Sequence, residues 1–407
     1  MKSVVFLCDG MADYPVEALG GKTPLDVSSH PNMDKIAQGG LFGLAQTVPH
    51  GMKPGSDNAN LSVFGYDPLV YYTGRSPLEA VNMGITLNAG DVAYRCNTVT
   101  LSGSDNIEDC IMTDYSAGEI SSEESRQLIE AMDKVFRTEK VELHPGISYR
   151  HCLVLRDADT GAELTPPHDI SRKPVKGHLP QGENGKLLLD MMKYSYSVLK
   201  DHPVNQKRVA EGKNPANCLW FWGEGRKPAL TPFAEKFGVH KGGVISAVDL
   251  IRGIGLCAGL EVLPVDGVIT GTYETDFDAK ARAAIQALKE GHEFIYIHME
   301  GPDECGHHGQ IPEKVQCIQD IDTKVIGPVM DYLQNCGEDY AVLVMPDHPT
   351  PLCLLTHVAD PVPFALVSSK HPMDNGNVVF NEHQARASGL FVPRACDLME
   401  KLVKSLN

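Results

Sequence analysis

Tyr340 to His348 read YAVLVMPDH, a run of apolar, β-prone side chains that stops on an acid and an imidazole. Prolines at 346 and 349 bracket Asp347 and His348, and a second imidazole, His357, follows nine residues after the first. Two other segments share this design. SVVFLCDG (Ser3 to Gly10) ends at Asp9, and EFIYIHMEGPDECGHHG (Glu293 to Gly309) ends in Asp303 and His307. Helical patterns alternate with them. In IPEKVQCIQDIDTKVIGPVMDYLQN, Val315, Ile318, Ile321, Val325, Val329 and Leu333 recur at three- and four-residue steps, with Pro328 expected to kink the helix. Asp276 to Leu288 and Ala395 to Leu406 read as further helices. Strands alternating with helices predict an α/β fold, a doubly wound and mostly parallel sheet whose ligands gather beyond the carboxyl ends of its strands.

From about Ala89 to Ala216 the strand-to-acid pattern stops. Polar, proline-containing stretches such as LTPPHDISRKPVKGHLPQGENG take over, and the first domain's pattern resumes at CLWFWGEG. This predicts a smaller domain, residues 89–216, inserted between residues 1–88 and 217–407 of the first. A chain of 407 residues has ample material for two cores. Its composition, 42% hydrophobic and 22% charged, is that of a globular protein. The 36 basic and 53 acidic side chains leave a net charge of −17, which argues against nucleic-acid or anionic-membrane surfaces as partners. No apolar stretch approaches the ~18 to 20 residues of a membrane span, and the N-terminal apolar run before Asp9 is too short for a signal peptide. Eleven cysteines without a C-x-x-C pair suggest neither a zinc cage nor a disulfide framework, and fit a cytoplasmic setting.

Asp9, Asp303, His307, Asp347, His348 and His357 are therefore the residues to explain. One Asp-His after a strand is ordinarily a turn with a satisfied imidazole; three such clusters in one chain point to a shared metal site. Carboxylate plus imidazole suits Zn²⁺ or Mn²⁺, and the share of Asp tilts the choice toward Mn²⁺. Six ligands exceed what one ion with open positions takes from protein, so two adjacent ions are expected, the arrangement that clamps attacking and leaving oxygens in phosphoryl displacement. In PGSDNANLSVFGYDP, Ser56 stands at a predicted helix start. Ser56 or Asp57 could be a plain N-cap. A serine there could equally be a nucleophile, with helix N–H groups for a phosphoryl oxygen and a nearby ion to lower its pKa. The Gly-Lys-Thr of VEALGGKTPL is not a P-loop, because the glycine required five positions before Gly21 falls at Val16 and no strand leads into it.

Taken in order, DGMAD, GGKTPL, PNMDKIA, PGSDNANLSVFGYDP, GRSPLEA, YRCNTV, SYRHCLV, PHDI, WFWGEG, VHKGGVISAVDLIRGIG, DECGHHG and MPDHPTP resemble the cofactor-independent phosphoglycerate mutases, in the archaeal-type branch of the alkaline phosphatase superfamily, over nearly the whole chain. The resemblance implies an alkaline-phosphatase-like metal-binding domain and an inserted α/β lid. It implies that Asp9, Ser56, Asp347 and His348 hold one metal and Asp303, His307 and His357 the other, with Ser56 the phosphorylated nucleophile. Two divalent ions are expected, Mn²⁺ foremost, with Zn²⁺, Mg²⁺ or Co²⁺ as alternatives. Arg75 and Lys241 from the metal domain, and Arg95, Arg150, His151, His168 and Asp169 from the insert, are expected to meet a small phosphorylated substrate, with His151 handling a hydroxyl proton. The implied reaction is interconversion of 3- and 2-phosphoglycerate through phosphoserine. Homoserine-kinase-like transfer or phosphate-ester hydrolysis on the same scaffold is the alternative. Oligomeric state is left open.

Overall fold

The computed structural model describes residues 1–405, so Leu406, the expected end of the last helix, lies outside the described residues. The chain divides into two compact units, one formed by residues 1–72 with the chain from Leu230 onward, the other by Thr73–Ala229.

The first unit is built on an eight-stranded sheet: β1 (Lys2–Cys8), β2 (Leu41–Ala45), β3 (Gly242–Ile245), β4 (Glu261–Val262), β5 (Phe294–Met299), β6 (Tyr340–Met345), β7 (Val362–Ser368) and β8 (Phe391–Val392). The spatial order is β4-β3-β5-β1-β6-β7-β2-β8, and only β7 opposes the common direction. Every residue of β1 and β5 is buried. That is why these strands read as unbroken apolar runs: helices cover both faces. Val4, Phe6 and Cys8 face a cluster containing Leu288, Ile318, Ile321, Val325 and Val329. On the other side, helices Ser56–Val63, Asp249–Cys257 and Cys396–Lys404 pack together. Register then places the chemistry: Val4 stands beside both Ile295 and Val342, so β5, β1 and β6 finish at one edge, with Asp9, Asp303 and Asp347 just beyond it.

The single helix expected over 311–335 is three pieces: α-helix Ile311–Asp320, a π-helical turn Ile321–Ile326, and α-helix Gly327–Asn335. Pro328 has no N–H for the Lys324 carbonyl and its ring crowds it, so the backbone widens instead of closing. Buried Asp322 holds the widened turn by accepting from the Asn32 and Met33 amides at 3.1 and 2.8 Å.

The second unit is an antiparallel sheet. Its longest strand, Val92–Ser102, pairs with Cys218–Arg226 along one side and with Arg150–Leu155 and Ile111–Asp114 along the other. Helices Ser122–Phe136 and Gly185–Leu199 supply Leu128, Ile129, Leu188 and Met192 to a core with Tyr94 and Trp220. This unit is wider at both ends than the 89–216 segment marked out by composition. CLWFWGEG is not the return of the first domain but this sheet's strand, hydrogen-bonded to Val92–Ser102. Helix Ser76–Asn82 packs on the same two strands, Ala80 meeting Ala93 and Val154. Among the described residues, no helix is long and apolar enough to cross a membrane.

Candidate metal centre and nucleophile

Asp9 leaves β1 with its amide still hydrogen-bonded to the Met299 carbonyl at 2.9 Å. Asp347 and His348 leave β6 between two prolines, the His348 amide donating back to Asp347 Oδ1 at 2.9 Å. Helix Gly301–His308 starts where β5 ends, and its four-residue spacing turns Asp303 and His307 to one side. The loop after His348 returns His357. The six expected ligands thus form two groups, Asp9–Asp347–His348 and Asp303–His307–His357, the donor atoms in each lying within 4.8 Å of one another.

In the first group, His348 Nε2 is 3.5 Å from Asp9 Oδ1 and 3.4 Å from Asp347 Oδ2. Asp347 is held by the Gly10 amide at 3.2 Å and by Asn60 Nδ2 at 2.8 Å, and Tyr296 in turn donates to Asn60 at 2.7 Å. Asp9 Oδ2 accepts from His298 Nε2 at 2.9 Å, while Oδ1 is buried without a hydrogen-bond partner among the described residues. Burial, and then the neighbouring Asp347 and Asp303 carboxylates, push the Asp9 carboxyl well above its usual range. An orphaned carboxylate oxygen facing an imidazole nitrogen and a second acid is a donor set suited to a divalent cation.

The second group makes the same demand. His307 donates Nδ1–H to the Leu355 carbonyl at 3.0 Å, which leaves its Nε2 lone pair facing Asp303 Oδ2 at 3.3 Å. His357 Nε2 lies 2.9 Å from that same nitrogen and 3.3 Å from Asp303 Oδ1. Converging lone pairs repel unless a proton or a metal lies between them. Without metal a proton takes the place: the Asp303 hydrogen bond raises His307 to about 9, against the opposing effect of burial. The residues present fit a divalent ion in each group.

Ser56 is not the N-cap. Gly55 occupies that position with extended backbone, and Ser56 is the first residue inside helix Ser56–Val63. Its hydroxyl is thereby free of capping duty and lies 3.2 Å from His348 Nε2. Asp57 accepts from the Asn58 amide at 2.9 Å and from Tyr72 at 2.6 Å, tying down the turn beside it.

A profile for 2,3-bisphosphoglycerate-independent phosphoglycerate mutase matches residues 37–205. The chain is 48% identical over 403 residues to a probable 2,3-bisphosphoglycerate-independent phosphoglycerate mutase of Geobacter sulfurreducens, covering 99% of this chain and 100% of that protein. It is 47% identical over 407 residues to the mutase of Methanosarcina barkeri, with both chains covered completely. The chain belongs to the 2,3-bisphosphoglycerate-independent phosphoglycerate mutase family. Among solved structures, a protein of Pyrococcus horikoshii superposes with a TM-score of 0.82 at 29% identity, covering 100% of this chain and 97% of that one. The cofactor-independent phosphoglycerate mutase of Thermoplasma acidophilum shares the fold, with a TM-score of 0.69 at 24% identity and both chains covered completely.

The substrate contacts expected from this mutase family are placed unevenly. Arg75, expected in the metal-binding domain, belongs to the second unit. Glu79 joins Arg75 and Arg95 there, at 2.8 and 2.9 Å. The Arg95 guanidinium lies 4.3 Å from the centroid of the Trp222 ring, against which His168 packs edge-on at 5.2 Å. Arg150 covers Tyr149 at 4.8 Å, and exposed Asp169 is 3.6 Å from His168. His151 is buried. Its Nδ1 accepts the Gly146 amide at 3.0 Å, so its proton sits on Nε2, and burial lowers its pKa to about 3. Lys241 stands before β3, at the amino end of the sheet, with Nζ on the Glu290 carbonyl at 2.7 Å. It is thus not brought to the strand ends that carry the ligands.

Sequence reasoning missed His298, Asn60, Thr350, Glu79 and Trp222. For His298 a signal existed: an imidazole inside the fully apolar strand FIYIHM. Ser246 bonds its other nitrogen at 3.1 Å, and burial, reinforced by Lys280, lowers its pKa to about 3, so it serves Asp9 as a neutral donor. Asn60 lies one helical turn after Ser56, which is the spacing of a shared face.

Proposed function

We propose that this protein interconverts 3-phosphoglycerate and 2-phosphoglycerate by passing the phosphoryl group through Ser56. The observation that carries the reading is the convergence of Ser56, at a helix N-terminus, on His348 and the Asp9–Asp347 carboxylates, within a chain 47–48% identical over its full length to proteins named for that activity. Two divalent ions, Mn²⁺ by the mixture of acids and imidazoles, would be held by the two ligand groups and would supply the charge that acidifies the serine and neutralises the transferring phosphoryl group.

The protein's own residues do the rest. Ser56 Oγ forms a bond to phosphorus as the ester P–O bond breaks, and the departing glycerate oxygen takes up the proton that the serine hydroxyl gives up. The positive end of helix Ser56–Val63 favours the phosphoserine dianion. The other glycerate hydroxyl then attacks phosphorus, loses its proton and releases Ser56, so that neither water nor a second phosphate is consumed. Arg75, Arg95 and Arg150 supply guanidinium groups for the glycerate carboxylate. With its lone pair taken by Gly146, His151 enters as a donor of Nε2–H and not as a proton acceptor.

³¹P NMR of the Mn²⁺-loaded protein with 3-phosphoglycerate tests this, beside a second sample with ATP and homoserine. The expected outcome is the 2-phosphoglycerate resonance in the first sample alone. Release of inorganic phosphate without isomerisation, or a phosphohomoserine resonance, overturns the reading. Ser56→Ala is expected to lower turnover by roughly 10³-fold or more with Mn²⁺ content unchanged.

A further inference from the structure

Thr350 lies between Pro349 and Pro351, fully buried, on the loop that joins the two ligand groups. Its hydroxyl oxygen is 2.5 Å from Asp303 Oδ1, in one group, and 3.2 Å from His348 Nδ1, in the other. A hydroxyl has one proton to give. The ionised Asp303 carboxylate can only accept, so the Thr350 proton points to Asp303 and the oxygen's lone pair is left for His348. The His348 ring must then carry its proton on Nδ1. That turns the Nε2 lone pair toward Asp9 Oδ1, Asp347 Oδ2 and Ser56 Oγ, at 3.5, 3.4 and 3.2 Å. Reversing the Thr350–His348 bond would make Nδ1 the acceptor and place the neutral ring's proton on Nε2, where it would block a metal.

The backbone is fixed to hold this hydroxyl in place. The Thr350 amide donates to Ala12 at 3.2 Å, and its carbonyl accepts from buried Lys314 at 2.9 Å. Lys314 is itself paired with buried Asp13 at 2.7 Å. Opposite, Gly10 leaves the space that the contact needs: a Cβ there would lie 2.6 Å from both Asp303 Oδ1 and Thr350 Oγ1.

We propose that Thr350 is a positioning residue that couples the two ligand groups, its hydroxyl fixing His348 as the Nδ1–H tautomer while it bonds Asp303. The two sites therefore fill interdependently, because whatever holds Asp303 in place also sets the ring that serves the other site. The coupling rests on the two-metal reading above; the tautomer does not.

The test begins with ¹⁵N-histidine-labelled, metal-free protein at pH 8, the His348 ring signals being assigned by their loss in His348→Gln. The native protein is expected to show Nδ1 protonated and Nε2 unprotonated, Thr350→Ser to keep that pattern, and Thr350→Val to show a mixture. In calorimetric titration with Mn²⁺ alone, Thr350→Val is expected to weaken both sites by about 10- to 100-fold, the range seen when a partner of a metal-binding histidine is lost. Thr350→Ser is expected to stay within a few-fold of native. An Nε2-protonated His348 in the native protein overturns the proposal, as does a Thr350→Val protein that retains both the tautomer and the affinities. Should Thr350→Val fail to fold, the native tautomer and the serine variant still decide. A native protein that takes up no Mn²⁺ yet shows the Nδ1–H ring would sink the two-metal reading and leave the tautomer assignment standing.

Discussion

His307 and His357 place their Nε2 atoms 2.9 Å apart, each 3.3 Å from an oxygen of Asp303. In the metal-free protein a proton held by His307 satisfies this contact, which is why the Asp303 hydrogen bond raises its pKa to about 9. Asp303 moves the other way: burial opposes ionisation, but bonds from His307 and His357 prevail and hold it well below the usual carboxylate range. Because the folded pKa of His307 is raised, its contribution to stability is complete below its unfolded pKa of about 6.5 and is lost as pH rises through about 9. Asp303 titrates far below this window and does not offset it. The metal-free protein should therefore melt at a lower temperature at pH 9.5 than at pH 6.5, while the Mn²⁺-loaded protein, whose ligands must shed that proton, gains stability over the same range. Thermal melts of both forms across the window check the opposite slopes. Parallel slopes would mean that His307 is not a ligand. The acid and imidazole types here were legible in the sequence. Their pairing into groups, and the neutral His298 behind Asp9, were not, since spacing along a chain carries no information on which strand lies beside which.

At the scale of elements, the centre depends on how β1, β5 and β6 terminate. Gly10 follows Asp9 with φ +61°, a left-handed turn that aims its amide at Asp347. Gly10→Ala would strain that turn and place Cβ 2.6 Å from the Asp303 Cα, a backbone atom that cannot swing aside. The expected loss is about 1–3 kcal/mol of stability, with weakened Mn²⁺ binding at both sites, measured by urea unfolding and metal titration. A variant within 0.5 kcal/mol of native (about the scatter of neutral surface changes) would show that the strand ends have slack. The strand ends were readable because three apolar runs of one chain stop on acids, where a single such run would pass for an ordinary turn. The position of Ser56 inside its helix was not readable, because Ser56 and Asp57 are both acceptable N-caps by residue type and only the extended backbone at Gly55 fixes where the helix starts. The π-helical turn at Ile321–Ile326 was half legible: Pro328 marks a break, but how the backbone absorbs it depends on the buried Asp322 contact with Asn32 and Met33.

At the scale of the molecule, all six candidate ligands and Ser56 lie in the first unit, and each unit has its own core. Chelation should therefore raise hydrogen exchange around Asp9–Met11, Ser56–Asn60, Asp303–His307 and Asp347–His357, and leave the Val92–Ser102 strand unchanged. Equal loss of protection in that strand, followed by mass spectrometry with and without EDTA, would refute the placement of both sites in one unit. By itself the sequence determined the α/β class, the parallel character of the main sheet, the six ligand candidates and the serine, because strands buried on both faces and acids at their ends leave a one-dimensional pattern. The tertiary structure alone decided the extent of the second unit, since only pairing with Val92–Ser102 assigns CLWFWGEG to it. It also decided the removal of Lys241 to the far end of the sheet and the link through Thr350, because register and strand direction are set by packing between segments hundreds of residues apart.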